Sequence, residues 1–145
     1  LIAYPIAFEY NAKAGSGTAS TWTTMAPEER AAVCAIPPEF DGPGRGYSPE
    51  DFFGLAVVNC FVATFKVIAE KSRLSFDSLS VEGRLVVDRD EKGRPCMSSF
   101  LMDVKVSAGA NGNVDRILRI LDKTSESCIV LNSVKTEVRF SFAVS

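Results

Sequence analysis

Residues 48–71 read SPEDFFGLAVVNCFVATFKVIAEK, and this stretch decides the fold. Ser48 suits a helix cap, Pro49 suits the first helical position, and Glu50 and Asp51 favour the positive end of the helix dipole. Ser48 and Asp51 also have the spacing of a capping box, with Asp in place of the usual Glu or Gln. From Phe52 to about Lys71 the pattern is helical and apolar almost all round, through Phe52, Phe53, Leu55, Val57, Val58, Cys60, Phe61, Val62 and Phe65. A helix without a polar face is buried centrally or lies in a membrane. The run breaks at Lys66, which makes it shorter than a bilayer span. The expectation is therefore a central core helix and no membrane partner.

Upstream, Tyr4, Ile6, Phe8 and Tyr10 alternate with Pro5, Ala7 and Glu9, the pattern of a half-buried strand, and Pro5 puts it at an edge or a strand start. Asn11 to Gly17 is turn-like, and Thr18 to Thr24 reads as the return strand of a hairpin. Met25 to Ala35 fits either a short helix or a third strand. Ile36 to Tyr47 holds three prolines and three glycines, a density that excludes helix and ladder and marks a long loop.

Downstream, Leu79, Val81, Leu85 and Val87 alternate with polar partners, as do Phe100, Met102, Val104 and Val106, around a charged turn over Asp88 to Pro95. Asn111-Gly112-Asn113 is a break and a cap. Val114, Ile117, Leu118 and Leu121 repeat at helical spacing, Cys128 to Asn132 reads as a further short helix, and Val134 to Val144 alternates as a last strand. The order is α+β with a mostly antiparallel sheet around the buried helix, and residues 1–145 read as a single domain. A helix as apolar as 52–69 needs more cover than one small sheet gives, and a two-fold dimer is the simplest way to supply it.

The 145 residues include four cysteines and no histidine. That excludes a Ser-His-Asp triad and an imidazole-ligated zinc site. Sixteen basic against eighteen acidic residues leave no excess to hold a phosphate backbone, so nucleic acid is not an expected partner. A chain of this mass can bury about 68% of its unfolded surface, enough for a core without metal or disulfide. The sequence, which begins at Leu1, shows no signal-peptide pattern, and a cytoplasmic location is expected.

The cysteines stand at 34, 60, 96 and 128, and none form a CxxC pair. Taken singly, each reads as a small buried apolar residue. Cys60 is mid-helix beside Asn59. Cys128, in Ser125-Glu126-Ser127-Cys128-Ile129, opens a segment where a helix N-terminus can lower a thiol pKa.

From about Ala12 onward the chain resembles the OsmC/Ohr family, the osmotically inducible and organic hydroperoxide resistance proteins. The resemblance lies in Gly17-Thr18-Ala19-Ser20-Thr21, Phe40-Asp41-Gly42, Ser48-Pro49-Glu50-Asp51-Phe52-Phe53, Asn59-Cys60-Phe61 and Glu126-Ser127-Cys128-Ile129-Val130, in that order. The family usually has proline after its second cysteine, where this chain has Ile129. The 68 positions between Cys60 and Cys128 are typical of it.

The resemblance implies an OsmC-like intertwined homodimer whose two sites draw on both subunits. It implies a thiol-dependent peroxidase acting on organic or lipid hydroperoxides, with Cys60 peroxidatic, Cys128 resolving, no cofactor or metal, and a dithiol reductant of lipoyl or other type. Glu50 would match the glutamate that holds an arginine near the thiolate. The arginine itself departs from the pattern. The position used in the OsmC branch is Glu39, and Gly15 to Thr24, where the Ohr branch carries it, contains none. Arg45 in the Gly-rich loop and Arg30 are the candidates left. Without such an arginine the alternative is a non-catalytic member of the fold that binds a small apolar ligand at the dimer interface, among Phe52, Phe53, Phe61 and Phe65. A third possibility is a partner protein that pairs through an exposed strand at 134–144.

Overall fold

The computed structural model describes residues 2–145. The chain divides into two compact units, one ending at Phe53 and one over Gly54–Ser145.

The first unit holds an antiparallel sheet of β1 (Asn11–Lys13), β2 (Trp22–Ala26) and β3 (Arg30–Cys34), in that order. Met25–Ala35, open to two readings in the sequence, thus contributes a third strand. The strand expected over Tyr4–Tyr10 does not form. That segment has the right alternation but no neighbouring strand to satisfy its backbone, and Tyr4, Phe8 and Tyr10 are exposed. The return strand begins at Trp22, later than expected. The Pro/Gly-rich stretch is a loop with one 3-10 turn at Pro38–Phe40. It is tied back by paired bonds between Tyr47 N–H and Val33 C=O at 2.9 Å and between Ala35 N–H and Tyr47 C=O at 3.1 Å. Cys34 and Ala35 are this unit's buried hydrophobics among the described residues.

Helix α1 spans Pro49–Lys71. Its capping box is reciprocal: Asp51 N–H donates to Ser48 Oγ at 3.0 Å, and Ser48 N–H to Asp51 Oδ2 at 2.9 Å. Aspartate serves because its short carboxylate reaches the cap N–H across three residues as glutamate does. Two sequence expectations about α1 need correction. With 23 residues and only Lys66 charged between Phe52 and Ala69, it is long and apolar enough by composition to cross a membrane, so its length excludes nothing. Nor is it buried on every side in the single chain. Its buried residues are Val57, Phe61, Phe65 and Ala69, one stripe at i, i+4 spacing, while Leu55 and Val67 are 43% and 51% exposed. The stripe identifies α1 as a packed core helix seated on a sheet, with an uncovered second face.

That sheet belongs to the second unit. Strands β4 (Ser78–Arg89) and β5 (Pro95–Ser107) form the expected hairpin, and β6 (Glu137–Val144) adds to β5 in parallel, giving the order β4-β5-β6. Along β5, Phe100, Met102, Val104 and Val106 are buried while the residues between them face out. Between them α1 and β6 build an aromatic cluster: Phe61 lies 5.8 Å from Phe140 and 6.1 Å from Phe142, ring centre to ring centre. Helix α2 (Val114–Ser127) starts where Asn113 Oδ1 accepts the Arg116 N–H at 3.0 Å. It buries Ile117, Ile120, Leu121 and Thr124. The Arg116 guanidinium donates to the Ser72 carbonyl just past the end of α1, tying the two helices together.

Two positions show where the fold is tight or strained. A methyl group at Gly83 on β4 would run into the Phe100 ring and lie 2.8 Å from Val58 Cγ1 on α1. Gly83→Ala is therefore expected to lower unfolding free energy by about 1–3 kcal/mol, read from denaturant midpoints. Glu28 and Glu29, in the β2–β3 turn, both have left-handed backbones at φ 64° and 58°. That conformation costs a non-glycine residue about 1–2 kcal/mol. Glu28→Asn with Glu29→Gly should raise stability by about 1 kcal/mol, after the entropy that glycine loses on folding is set against the relief. An unchanged melting temperature would show that the turn tolerates both glutamates.

Candidate functional site

The rotation of α1 is set by its buried stripe, and Cys60, one residue before Phe61, falls on the flank of that stripe, half-buried. On α2 the buried residues recur at 117, 120, 121 and 124, and Cys128 continues the series four residues beyond Thr124. Cys128 is fully buried and is the C-cap of α2, with ψ 117° turning the chain out of the helix. The short helix expected from 128 is instead a 3-10 turn over Leu131–Ser133. It is closed by Asn132 N–H to Cys128 C=O and Ser133 N–H to Val130 C=O, both 3.0 Å. Asn132 Nδ2 donates to Glu126 C=O at 3.1 Å, and Ser133 Oγ to Ile129 C=O at 2.7 Å.

This turn leaves its leading N–H groups free of helical partners, as any helical start does. Those of Ile129 and Val130 favour the anion of Cys60, and those of Leu131 and Val130 favour that of Cys128. The two thiols lie near enough for each to shift the other's protonation, and both are free. The structure thus brings together two cysteines separated by 68 positions, within one unit. The Thr64 hydroxyl oxygen, one helical turn beyond Cys60, lies 3.9 Å from Cys60 Sγ.

The two sulfurs differ in their attachment to protons. For Cys60, burial is the largest single influence and pushes the pKa up. The hydrogen bonds from the Cys128 thiol, the Val130 N–H, the Thr64 hydroxyl and the Ile129 N–H together outweigh it and hold the pKa below the ordinary thiol value. For Cys128, burial dominates and pushes the pKa up to about 11, aided by its hydrogen bond to Cys60 and by repulsion from a Cys60 anion. Of the two, Cys60 is the thiol whose anion its surroundings favour, and Cys128 the one whose proton they favour.

Glu50, Arg45 and Arg30 lie in the first unit. Glu50 is in the first turn of α1, and its Oε2 is shielded from water with no hydrogen-bond partner among the described residues. Arg45 is exposed, with a left-handed backbone at φ 69°. Arg30 is exposed on β3, and its Nε donates to the Pro27 carbonyl at 2.8 Å. Of the other cysteines, Cys34 is buried as expected and its burial raises its pKa, whereas Cys96 is exposed at the start of β5, where the register shift between Val86 and Val87 interrupts the alternation that buries Phe100 to Val106. Among the described residues no group of three or more His, Cys, Asp or Glu side chains is placed to hold a metal ion.

Sequence reasoning missed Thr64 and the backbone donors of 129–131. A hydroxyl four residues after Cys60 in an otherwise apolar helix was the available signal for the first. The donors have no side-chain signature at all.

A family model for OsmC-like protein matches residues 42–143. The protein YmaD of Bacillus subtilis, which is uncharacterized, is 24% identical over 114 residues, spanning 77% of this chain and 75% of that one. Among solved structures, an OsmC-like protein of unknown function from Vibrio cholerae superposes with a TM-score of 0.84 at 17% identity, covering 95% of this chain and 99% of its own. An organic hydroperoxide resistance protein OsmC from Legionella pneumophila gives a TM-score of 0.74 at 18% identity, with 99% of each chain covered. The organic hydroperoxide resistance protein OhrB of Bacillus subtilis gives 0.69 at 14% identity, covering 97% of this chain and 98% of its own. At these identities the superpositions establish a shared fold. With the family model spanning most of the sequence, from the Gly-rich loop through both cysteines and nearly all of the last strand, the chain belongs to the OsmC-like protein family.

Proposed function

We propose that this protein is a thiol-dependent peroxidase that reduces organic hydroperoxides, with Cys60 as the attacking thiol and Cys128 as the resolving one. The observation that carries this reading is the pair of neighbouring thiols driven apart in protonation, Cys60 held below the ordinary thiol pKa and Cys128 pushed up to about 11. A nucleophile must be anionic, and a resolving thiol must wait until it is needed.

The chemistry follows from that order. The Cys60 thiolate attacks the terminal oxygen of the hydroperoxide. A sulfur–oxygen bond forms, the O–O bond breaks, and its electron pair leaves on an alkoxide that takes up a proton to become the alcohol. Cys60 is oxidised to sulfenic acid and the peroxide is reduced. Cys128, after losing its proton, attacks the sulfenic sulfur, forming the disulfide and expelling hydroxide. A dithiol, lipoyl-type or other, then reduces the disulfide by exchange and leaves as its own disulfide. A cytoplasmic setting would supply such a reductant.

Glu50 and Arg45 enter as the pair that stabilises the reacting anion. A carboxylate oxygen shielded from water without a partner suits a guanidinium, and Arg45, five positions before Glu50 on an exposed loop, is the candidate, with Arg30 second. The working form is a homodimer. The exposed face of α1, the exposed Tyr4, Phe8 and Tyr10, and the free edge of β6 favour a second copy as their cover. The apolar-ligand alternative loses support, because Phe61 and Phe65 are packed against Phe140, Phe142 and Phe76.

Stopped-flow oxidation with cumene hydroperoxide tests the reading directly. Cys60→Ser should abolish the first oxidation, whereas Cys128→Ser should react once and stall at a dimedone-reactive sulfenic acid. Wild-type protein that consumes hydroperoxide no faster than a free thiol would sink the proposal. Arg45→Ala should slow the first step by about 10- to 100-fold, the worth of a charge-assisted hydrogen bond. The rate of the first step should climb with pH as Cys60 ionises. It should level off below the ordinary thiol pKa, because a lowered pKa puts the thiolate fraction near one at lower pH. Cys128 contributes no second rise until about pH 11.

A further inference from the structure

We propose that Thr64 is a positioning residue for Cys60, its hydroxyl donating to the Cys60 sulfur from one helical turn away so that the sulfur is held toward the 128–131 turn as a thiolate. This rests on the reading of Cys60 as the attacking thiol and names a part of its activation that no charged residue supplies.

The geometry comes from the helix itself. Side chains on an α-helix lean toward its N-terminus, so a residue at i+4 lies over residue i on the same face. Thr64 is so placed over Cys60, with Oγ1 3.9 Å from Sγ, within the reach of a hydrogen bond to sulfur. A threonine inside a helix ordinarily turns its hydroxyl back onto the carbonyl four residues earlier. Thr124 on α2 does so, donating to Ile120 C=O at 2.7 Å. The Thr64 hydroxyl makes no such bond to the Cys60 carbonyl among the described residues and is placed on the sulfur instead.

The other groups around Cys60 make that bond consequential. The Cys128 thiol faces it from the end of α2, and the Ile129 and Val130 N–H groups face it from the turn. The one titratable group among them is Cys128, and among the described residues no charged side chain hydrogen-bonds to the sulfur. The Cys128 donor is consumed when that thiol loses its proton to resolve the sulfenic acid. Thr64 has no part in the bond-making. It is the side-chain donor that stays with Cys60 through the cycle, and it faces the same sulfur again when reduction restores the thiolate.

The test follows iodoacetamide alkylation of Cys60 against pH, by peptide mass spectrometry on full-length reduced wild type, Thr64→Val and Thr64→Ser. Valine keeps the shape and removes the donor; serine keeps the donor and removes the methyl group. Thr64→Val should move the Cys60 midpoint upward and cut its alkylation rate at pH 7 by about fivefold, the worth of one neutral hydrogen bond. Thr64→Ser should restore the wild-type midpoint. A midpoint unchanged in Thr64→Val, or raised equally in both variants, overturns the proposal, the second result marking a packing effect. Alkylation involves no peroxide, so protein inert toward hydroperoxide but with a Thr64-dependent profile would refute the peroxidase and leave this inference standing.

Discussion

Seating one stripe of α1 on the β4-β5-β6 sheet is the constraint from which the site follows. Phe61 and Phe65 are buried completely, and Phe61 is packed against Phe140 and Phe142. Burying two such side chains stabilises the second unit by about 3–6 kcal/mol relative to leaving them in water. That fixes the rotation of the helix to within a fraction of a residue. Cys60 then has no choice of direction: at about 100° from Phe61 it must lie at the margin of the core. Helix α2 reaches the same margin because Cys128 extends the buried series of Ile117, Leu121 and Thr124. Two hydrophobic stripes, each required by folding, converge on the two sulfurs.

Convergence alone would give two ordinary buried thiols with raised pKa values. The asymmetry comes from the chain's exit from α2. The extended ψ at Cys128 and the 3-10 turn after it set the N–H groups of Ile129, Val130 and Leu131 where they favour sulfur anions. Cys60 also has the Cys128 thiol and the Thr64 hydroxyl beside it and is only half-buried, whereas Cys128 is buried completely. Two sulfurs in one cluster are thereby driven in opposite directions. Such a divergence of two pKa values is what a histidine or a metal ion would supply elsewhere, and this chain has no histidine.

Local signals in the sequence were legible, and signals that depend on distant neighbours were not. The start of α1 could be read because Ser48, Pro49 and Asp51 act within four residues. The β4–β5 hairpin could be read because alternation with a charged turn is self-contained, and the α2 cap because Asn113 bonds three residues on. The segment Tyr4–Tyr10 has the same alternation without a strand beside it, so pattern and structure part. The all-round apolar character of α1 promised burial on every side, but a single chain covers one stripe. The parallel pairing of β6 with β5 is decided by the path of α2, which no residue in β6 encodes. Cys60 and Cys128 were singled out as a pair by family resemblance, while their contact depends on two helix rotations that only the folded core sets.

The parts that the single chain leaves uncovered obey the same physics as the parts it packs. Leu55 and Val67 on α1 are as apolar as Val57 and Phe61, yet they face away from the sheet. In the first unit, Ile2, Tyr4, Ile6, Phe8 and Tyr10 alternate at strand spacing with every member exposed, and the unit's buried hydrophobics among the described residues are Cys34 and Ala35. An isolated three-stranded sheet with so small a core is marginal in water. Selection for solubility works against leaving such surface bare. A second copy of the chain carries the same helix face and the same alternating arm, and two-fold symmetry lets each surface meet its counterpart twice. On this argument the apolar helix and the unpaired N-terminal alternation are one feature seen at two places. In the homodimer proposed above, both are sequence patterns whose partner would lie outside the chain that carries them.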